Sequence, residues 1–387
     1  MHFFTSITTC YLPKARVLAE SLKKYNPDAI MHLIIADDLP KDFNIYNEDF
    51  DYVWNAEDFI KTPNNKQWFF KHTVVELCTA IKPAAALHIL QNTGADEIVF
   101  LDPDIAVYGN LNPLREELNR NSVLITPHQV DPAISEAGIR DEEICSLKYG
   151  VFNFGFFAVN NDADGHKFLN WWNDRLMKYC YDDIPNGLFT DQKWGDLIPA
   201  LFSFAKVLRN VEYNVATWNL ATRKITGNEK KGWFVNGKTL KFYHFTGFDS
   251  GAHRIMLAQH AKPGDPAWNL SIQYEKTLKA KGQDLLGKIP YKYAFYENGE
   301  KILKEDRLIF RMREDLMAAF ENPFSDNCYL WMRANLRPIN IKTFMVTYYM
   351  TYLISKITCG EMRKKYKNRI KIYRDLINRL NQIIAYG

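Results

Sequence analysis

The sequence predicts an α/β fold built on a mostly parallel, Rossmann-like sheet. In the first quarter of the chain, apolar runs alternate with a segment of helical periodicity, which is typical of strand–helix–strand units. The run at 97–101 is almost continuously apolar, as in a strand that is buried on both faces of a parallel sheet. From about residue 257 this rhythm stops, and the remainder is predicted to be helical or irregular. We therefore predict a first domain over 1–255 and a mainly helical extension over 256–387.

Each element rests on a local pattern. A helix over 14–25 is predicted from apolar residues at helical spacing with Pro13 just ahead of it. The helical region over 72–91 is expected to break before Pro83 and to end near Gly94. Two further helices are predicted over 166–179 and 191–202. The predicted strands span 2–9, 31–36, 51–55, 97–101, 122–126, 152–160, 206–216 and 238–245.

Composition limits the classes of function. The chain has 387 residues, of which 47% are hydrophobic and 24% charged, and this is typical of a globular protein with an ample core. A net charge of +4 does not indicate a general nucleic-acid-binding role. Six scattered cysteines form no Cys-x-x-Cys pair, so we expect no zinc or redox motif. We find neither a signal-peptide pattern nor an apolar run of about 18 residues, and we expect a reduced, cytoplasmic protein without a transmembrane helix.

Two aspartates follow the buried run at 97–101. Pro103 separates Asp102 from Asp104, favours extended geometry at Asp102 and cannot continue a strand ladder. Side chains two residues apart in an extended chain point the same way, so both carboxylates are expected to lie together beyond a central strand. Ligands of open α/β sheets bind at the carboxyl ends of strands. A divalent cation is the usual way to offset two adjacent carboxylates.

Three later stretches also carry polar side chains where the pattern predicts element ends. Asn153 and Gly155 interrupt an apolar strand, and a glycine there indicates close backbone approach. Asp191 and Gln192 open a predicted helix behind Thr190. The stretch 242–248 places a histidine at the end of a strand and a glycine turn after it, at His244 and Gly247.

These motifs, in this order, resemble the nucleotide-sugar glycosyltransferases of the GT-A fold, in particular glycosyltransferase family 8 and its relatives in bacterial surface-polysaccharide clusters. The resemblance covers roughly residues 1–255, and its specificity comes from four short motifs in the right order. It implies a GT-A fold and a hexosyl transfer from a nucleoside diphosphate sugar, a UDP-sugar, to a hydroxyl of a glycan or lipid-linked glycan. It also implies retention of configuration at the transferred sugar.

The resemblance assigns roles to residues of this chain. Asp102, Asp104 and His244 ligate a divalent ion, and two carboxylates with one imidazole favour manganese over magnesium. The donor nucleotide and its diphosphate are contacted by Thr5, Ser6, Ile7, Tyr11, Asp37 or Asp38, Lys82 and Gly247. The pocket for the donor sugar and the acceptor is lined by Asn153, Gly155, Asp191 and Gln192. The alternatives are a packed strand-end histidine for His244 and a helix N-terminal carboxylate for Asp191.

The chain departs from the family pattern at one place. Family 8 members usually follow His-x-x-Gly with Lys-Pro-Trp, whose lysine contacts the leaving diphosphate. Residues 248–254 read Phe-Asp-Ser-Gly-Ala-His-Arg, with no lysine. His253 or Arg254 is a candidate replacement. The departure favours a sister family over family 8 itself.

Other roles stay open at this level. Asp191 is either a general base for the acceptor, as in an inverting enzyme, or a residue that holds the donor sugar. Trp194, Trp218 and Trp233 either stack on acceptor sugars or pack in the protein. A sugar nucleotidylyltransferase is disfavoured because 8–13, after the first strand, contains no glycine. A non-catalytic sugar-nucleotide or glycan-binding module is disfavoured by the intact aspartate–histidine set.

The C-terminal region supports a separate hypothesis. Aromatic and apolar residues over 339–357 precede the stretch 356–379, which holds nine basic and two acidic side chains. Such a combination predicts peripheral binding to an anionic membrane, such as the inner face of the plasma membrane. The alternative is a helical cap on the catalytic domain with a solvated basic face.

Overall fold

The computed structural model describes residues 1–335 and, beyond them, residues 352, 362, 363, 367 and 370. The chain divides into two compact units, Met1–Ala294 and Phe295–Gly387. The helices Ala252–His260 and Pro266–Ala280 belong to the first unit. The division into functional domains at residue 255 stays a prediction. The predicted membrane-binding region over 339–379 lies outside the described residues, apart from the five isolated positions.

Fourteen strands occur within the described residues. They are β1 (His2–Ile7), β2 (Ile30–Ile35), β3 (Tyr52–Asn55), β4 (Glu97–Leu101), β5 (Ile105–Val107), β6 (Val123–Pro127), β7 (Phe152–Asn160), β8 (Asp182–Asp183), β9 (Leu188–Phe189), β10 (Ala205–Val207), β11 (Ile225–Asn228), β12 (Gly232–Val235), β13 (Lys238–Thr239) and β14 (Phe242–His244). Seven of them form the central sheet, in the order β10-β6-β7-β4-β1-β2-β3. β7 runs antiparallel to β4 and β6, and the other pairs are parallel. The predicted α/β class with a mixed, mostly parallel sheet is confirmed.

Helices flank this sheet and follow it in the chain. In the first unit they are α1 (Leu12–Tyr25), α2 (Ala56–Phe59), α3 (Asn65–Lys71), α4 (Val74–Ala80), α5 (Lys82–Thr93), α6 (Pro113–Leu118), α7 (Glu136–Gly138), α8 (Ile144–Tyr149), α9 (Ala163–Tyr179), α10 (Gln192–Gly195), α11 (Ile198–Leu201), α12 (Ala252–His260), α13 (Pro266–Ala280) and α14 (Gln283–Leu286). The described part of the second unit contains α15 (Lys304–Met312), α16 (Glu314–Ala319) and α17 (Asp326–Asn335). The predicted helical C-terminal region is therefore present.

β4 is the buried centre of the sheet, as its apolar sequence predicted. All five of its residues are buried, because β1 and β7 pair with its two edges and side chains cover both faces. On one face Phe100 contacts the rings of Phe4 and Phe157. On the other face Val99 and Leu101 belong to the large apolar cluster that α1 also joins. This burial fixes the carboxyl end of β4, where the chain reaches Asp102.

Three predicted elements differ in length. The strand expected over 206–216 ends at Val207, because β10 pairs with only three residues of β6. The strand expected over 238–245 divides, because β13 pairs with β12 whereas β14 pairs with β5, a strand that the sequence did not predict. The helix expected over 191–202 divides into α10 and α11, and Pro199 lies in the first turn of α11. A proline is tolerated at a helix start and not in its interior.

One helical stretch within the described residues, Val74–Thr93, is long and apolar enough to cross a membrane by length and composition. It is divided into α4 and α5 at Ile81, before Pro83, as predicted. Core helices satisfy the same criterion, and 56% of the apolar window is buried inside the structure. Glu76 and Lys82 are buried charged residues of this stretch. The stretch by itself therefore does not indicate a membrane span.

A stacked histidine lies near the edge of the central sheet. The ring of His32 on β2 stacks on His2 and Tyr52, with centroid separations of 5.1 and 4.7 Å. Its Nδ1 accepts a hydrogen bond of 3.1 Å from the indole of Trp54, and its Nε2 lies 2.9 Å from Nδ1 of His2. Burial, with a smaller contribution from His2, lowers the pKa of His32 to about 3. The folded protein therefore holds this imidazole neutral.

We expect the free energy of unfolding to fall as the pH is lowered below the ordinary histidine pKa. In this range His32 binds a proton in the unfolded chain but stays neutral in the folded protein. Between pH 7 and pH 5 this residue accounts for a loss of about 2 kcal/mol. Denaturant titrations at pH 7, 6 and 5 measure the slope, which His32→Asn should flatten. His166→Asn, in the first turn of α9, is the control. An unchanged slope in His32→Asn contradicts the prediction.

Candidate active site

Two neighbouring aspartates and a histidine that is distant in sequence converge beyond the end of β4. The Nε2 atom of His244 lies 3.0 Å from Oδ1 of Asp104 and 3.6 Å from Oδ2 of Asp102. One candidate ligand atom from each residue lies within 4.8 Å of the others. The set of two carboxylates and one imidazole is the set predicted from the sequence. Its chemistry and spacing suit a divalent cation.

Backbone hydrogen bonds explain how these residues meet. The N–H of Asp102 donates to the carbonyl of Gly155 at 2.8 Å, and the N–H of Ile105 donates back to the carbonyl of Asp102 at 3.0 Å. This tight turn leads into β5, which pairs with β14 so that His244 lies opposite Ile105. The N–H of Phe245 then donates to the carbonyl of Asp104 at 2.8 Å. The β5–β14 pair therefore places the histidine beside the aspartates.

Burial and neighbouring charges shift the pKa values of the triad in opposite directions. Burial raises the pKa of Asp102 above its ordinary value, and the nearby charges of Lys82 and His244 offset only part of that rise. Burial also raises the pKa of Asp104, but His244 outweighs it and brings that pKa below the ordinary value. Burial lowers the pKa of His244, but Asp104 and Asp102 outweigh it and bring that pKa above the ordinary value. Without a cation the histidine therefore acts as the counter-charge of the aspartates.

Gly155 provides the space in which the imidazole lies. A Cβ atom at this position would lie 2.5 Å from Cε1 and 2.8 Å from Nδ1 of His244. Trp218 meets the other side of the ring edge to face, at 5.3 Å between centroids. Nδ1 of His244 is buried without a hydrogen-bond partner among the described residues. Packing by Gly155 and Trp218 therefore orients the ring so that Nε2 faces the carboxylates.

A buried lysine connects the triad to Asp191. Nζ of Lys82 lies 2.8 Å from Oδ2 of Asp191 and 3.4 Å from Oδ1 of Asp102, and it donates to the carbonyl of Phe154 at 2.9 Å. Burial lowers the pKa of Lys82, but the two carboxylates outweigh it and bring that pKa above the ordinary value. Lys82 is therefore a buried ammonium held between two aspartates.

A network of neutral polar groups adjoins this ion pair. The amide of Asn153 accepts hydrogen bonds of 3.1 Å from the N–H of Gly155 and from Asn214, and its nitrogen lies 3.4 Å from Oε1 of Gln192 and 3.3 Å from Nε2 of His128. Burial lowers the pKa of His128 to about 4, so this imidazole is neutral at physiological pH. The arrangement supplies uncharged donors and acceptors of the kind that bind sugar hydroxyls.

The structure therefore brings together the predicted residues Lys82, Asn153, Gly155, Asp191 and Gln192 with the triad. It adds His128 and Asn214, which sequence reasoning missed. Neither lies in a recognisable motif, and each reaches the site by a loop between elements. Thr190, ahead of Asp191, adopts the left-handed conformation with a φ of 46°. Such a φ is uncommon for a threonine and redirects the chain just before the aspartate.

The residues proposed for the nucleotide lie at the carboxyl ends of β1 and β2. Thr5, Ser6 and Ile7 are almost fully buried, and the Ser6 hydroxyl donates to the carbonyl of Cys78 at 2.7 Å. Asp37 is buried as well, accepting from the N–H groups of Asp38 at 2.8 Å and Lys292 at 3.2 Å. Their contacts with a nucleotide stay predictions.

The turn after β14 contains Gly247, with a φ of 69°, and leads into α12. The N–H of His253 donates to the carbonyl of Gly247 at 3.1 Å. His253 is buried against the rings of Phe245 and Phe248, and Arg254 pairs with Glu275 at 3.1 Å. In this structure both candidate replacements for the missing lysine therefore make other contacts: His253 packs among aromatic rings, and Arg254 pairs with Glu275.

The three tryptophans differ in their surroundings. Trp233 is buried in a core cluster and donates to Gln273 at 3.3 Å, which is a packing role. Trp194 donates to the carbonyl of Tyr179 at 3.4 Å and is partly exposed beside Asp191 and Gln192. Trp218 contacts His244 and His128. Trp194 and Trp218 remain near the predicted acceptor region.

The chain is similar in sequence to two uncharacterised proteins of Bacillus subtilis (strain 168). It is 26% identical to YfnF over 175 residues, which is 45% of this chain and 57% of YfnF. It is 22% identical to YfnD over 287 residues, which is 72% of this chain and 85% of YfnD. The chain thus matches little more than half the length of YfnF. No protein-family model matches the chain.

The structure is similar to solved glycosyltransferases. It matches the galactosyltransferase LgtC in complex with donor and acceptor sugar analogues at a TM-score of 0.41 and 14% identity, over 75% of this chain and 98% of LgtC. It matches GlyE of Streptococcus pneumoniae TIGR4 at 0.42 and 13%, over 76% of this chain and 66% of GlyE. It matches mouse xyloside xylosyltransferase 1 at 0.36 and 13%, over 64% and 98%. All three of these solved structures are glycosyltransferases, and none of them is named as family 8.

Gly155→Ala tests whether the imidazole needs this space. We expect the new methyl group to push the ring of His244 from the carboxylates and to weaken Mn²⁺ binding by at least about 10-fold, in the range that misplaced metal ligands cost. Calorimetric titration with Mn²⁺ measures the affinity, and the thermal midpoint measures stability. In a His244→Ala background the same glycine substitution should cost less stability, because the clash with the ring is gone and only the 2.8 Å contact with Oδ1 of Asn153 remains. Equal Mn²⁺ affinity in Gly155→Ala and the unmodified protein contradicts the prediction.

Proposed function

We propose that this protein is a metal-dependent GT-A glycosyltransferase that moves a sugar from a nucleoside diphosphate, a UDP-sugar, to a hydroxyl of a glycan or lipid-linked glycan. The carrying observation is the convergence of Asp102, Asp104 and His244 beside the Lys82–Asp191 ion pair. A cation site next to a buried ammonium is suited to a diphosphate, and a network of neutral amides next to both is suited to a sugar.

The chain's own residues then divide the work. When bound, a divalent ion supplies charge stabilisation for the departing diphosphate. Lys82 adds a second positive charge, already desolvated and oriented by Asp191 and Asp102, so little reorganisation is needed as negative charge develops. Asn153, Gln192 and His128 orient the donor sugar and the acceptor hydroxyl by hydrogen bonds.

The ion pair supports the retaining alternative for Asp191. Oδ2 of Asp191 lies 2.8 Å from the ammonium of Lys82, so this oxygen is already engaged in an ion pair. The proposed role of Asp191 is to hold the donor sugar and Lys82 in place. Deprotonation of the acceptor then falls to the leaving phosphate, in keeping with the retention that the sequence resemblance implies.

Donor hydrolysis tests the function. The protein is incubated with a panel of UDP- and GDP-sugars, with manganese and with a chelator, and release of the nucleoside diphosphate is measured. We expect metal-dependent release from one donor class. Metal-dependent nucleotide binding without turnover of any donor favours the binding-module alternative. Formation of a nucleotide sugar from a sugar 1-phosphate and a nucleoside triphosphate favours the nucleotidylyltransferase alternative.

Asp104→Asn is expected to lower turnover by at least about 100-fold while the fold is retained, because the side chain serves the ion and loss of a metal ligand removes several kcal/mol of charge stabilisation. Asp96→Asn, an exposed aspartate ahead of the other end of β4, is the matched control. Circular dichroism verifies folding of both variants. Normal turnover of purified Asp104→Asn removes the metal-site assignment.

We further propose, from the sequence alone, that the basic C-terminal region attaches the protein to anionic membranes. Each basic residue near such a surface contributes about 1 kcal/mol, and salt screens the attraction. Flotation with liposomes of anionic and of neutral lipids at low and high salt measures this. We expect binding to anionic liposomes at low salt only, and absence of that binding removes the proposal.

A further inference from the structure

A second buried lysine lies near the cation triad, at a position to which neither the sequence motifs nor the proposed mechanism gave a role. Lys14, in the first turn of α1, is 1% exposed at its side chain and forms an ion pair with Asp249. Its Nζ also lies 3.6 Å from the centroid of the Tyr11 ring. Lysines are almost never fully buried unless paired, so a buried ammonium needs an explanation.

Contacts between elements place this lysine near the triad. The Lys14–Asp249 pair joins α1 to the turn that follows β14, and β14 ends at His244 of the triad. α1 also contacts β5, which begins next to Asp104, because the hydroxyl of Ser21 accepts a hydrogen bond of 3.0 Å from the N–H of Val107. Lys14 and Asp249 therefore lie on elements that adjoin the cation site.

The two buried lysines have different partners. Lys82 is paired with Asp191 and Asp102, whose side chains are 4% and 26% exposed. The partner of Lys14 is Asp249, which is 42% exposed and also accepts from Gln283 at 3.3 Å. A half-exposed carboxylate regains water at little cost when it leaves an ion pair, whereas the buried ammonium cannot. Lys14 is thus the ammonium whose carboxylate is easily exchanged.

Asp249 lies on a turn that can accommodate such an exchange. Gly247 and Gly251 flank it with φ values of 69° and 78°, in the left-handed region. Glycine adopts this region without the strain that a side chain causes, so the two glycines allow the backbone of the turn to change direction at both ends. This turn follows His244, so Asp249 lies four residues along the chain from Phe245, whose N–H contacts the Asp104 carbonyl.

We propose that Lys14 is a diphosphate-binding residue, and that a phosphate oxygen of the donor replaces the carboxylate of Asp249 on its ammonium. The inference rests on the proposed function, since it names a further contact for the same donor. It assigns to α1 the positive charge that the turn after Gly247 lacks. A competing role is structural, with the Lys14–Asp249 pair merely holding this turn on α1.

The two roles predict opposite behaviour for the two partners. If the pair is only a structural latch, Lys14→Met and Asp249→Asn break the same contact and weaken ligand binding equally. If Lys14 binds the diphosphate, Lys14→Met loses a charge-assisted hydrogen bond to phosphate, whereas Asp249→Asn removes a competitor for the ammonium. Comparison of the two variants therefore separates the roles.

The experiment is calorimetric titration of the full chain with inorganic pyrophosphate and with UDP and GDP, each in the presence of Mn²⁺. We expect Lys14→Met to raise the dissociation constant by at least about 10-fold, which is the typical loss for one charge-assisted hydrogen bond. Asp249→Asn should bind at least as tightly as the unmodified protein. Lys23→Met is the matched control, since Lys23 lies on the same helix and pairs with Asp51 at 2.6 Å.

Equal weakening by Lys14→Met and Asp249→Asn overturns the proposal in favour of the latch, and normal binding by Lys14→Met overturns it outright. The double variant Lys14→Met/Asp249→Asn lacks both charges, so it leaves no unpaired charge. If Lys14→Met is poorly folded and the double variant has a normal thermal midpoint, the loss of stability in the single variant comes from the unpaired Asp249. If the unmodified protein binds none of these probes with Mn²⁺, the proposed function fails together with this inference. Normal binding in Lys14→Met with metal-dependent binding in the unmodified protein refutes only this inference.

Discussion

The site is governed by the repulsion among aspartates that the fold forces together. Asp102, Asp104 and Asp191 lie within one small and mostly buried region, and their charges cannot be left unbalanced there. Lys82 and His244 are the side chains whose positive charge offsets these carboxylates. Among the described residues, three carboxylates face only these two cationic side chains, so one negative charge is left unbalanced. Residual negative charge next to oxygen and nitrogen atoms that lie within 4.8 Å of one another suits the metal ion proposed above.

This requirement explains features that otherwise look unrelated. Gly155 is small because the imidazole of His244 must reach past β7 to the carboxylates. β14 separates from β13 and pairs with β5, which brings that imidazole to the end of β4. Lys82 opens α5 directly after the Ile81 break, and its ammonium donates to the carbonyl of Phe154 on β7 at 2.9 Å. Each of these features brings one side chain to the site.

Sequence reasoning was successful where chemistry and local pattern coincide. The buried strand before Asp102, the break before Pro83 and the triad itself followed from apolar runs, proline rules and motif order. It failed where a role depends on non-local pairing. Nothing near 105–107 distinguishes β5 from a loop, because its partner lies more than a hundred residues away in β14. His128 and Asn214 carry no motif, and only folding brings them to Asn153.

Lys14 is a second case in which a sequence motif does not identify the residue. A motif describes the position of a residue along the chain, whereas binding of a phosphate depends on the position of a positive charge in space. The missing lysine after Gly247 therefore does not imply a missing charge, since an ammonium on α1 contacts the very turn in which the lysine was expected. On this argument, relatives that lack a basic residue in the turn should be searched for one on the helix that faces it. An ammonium on α1 is held by a longer and better-packed element than the turn. In the proposal, Asp249 neutralises this ammonium until the diphosphate of the donor binds.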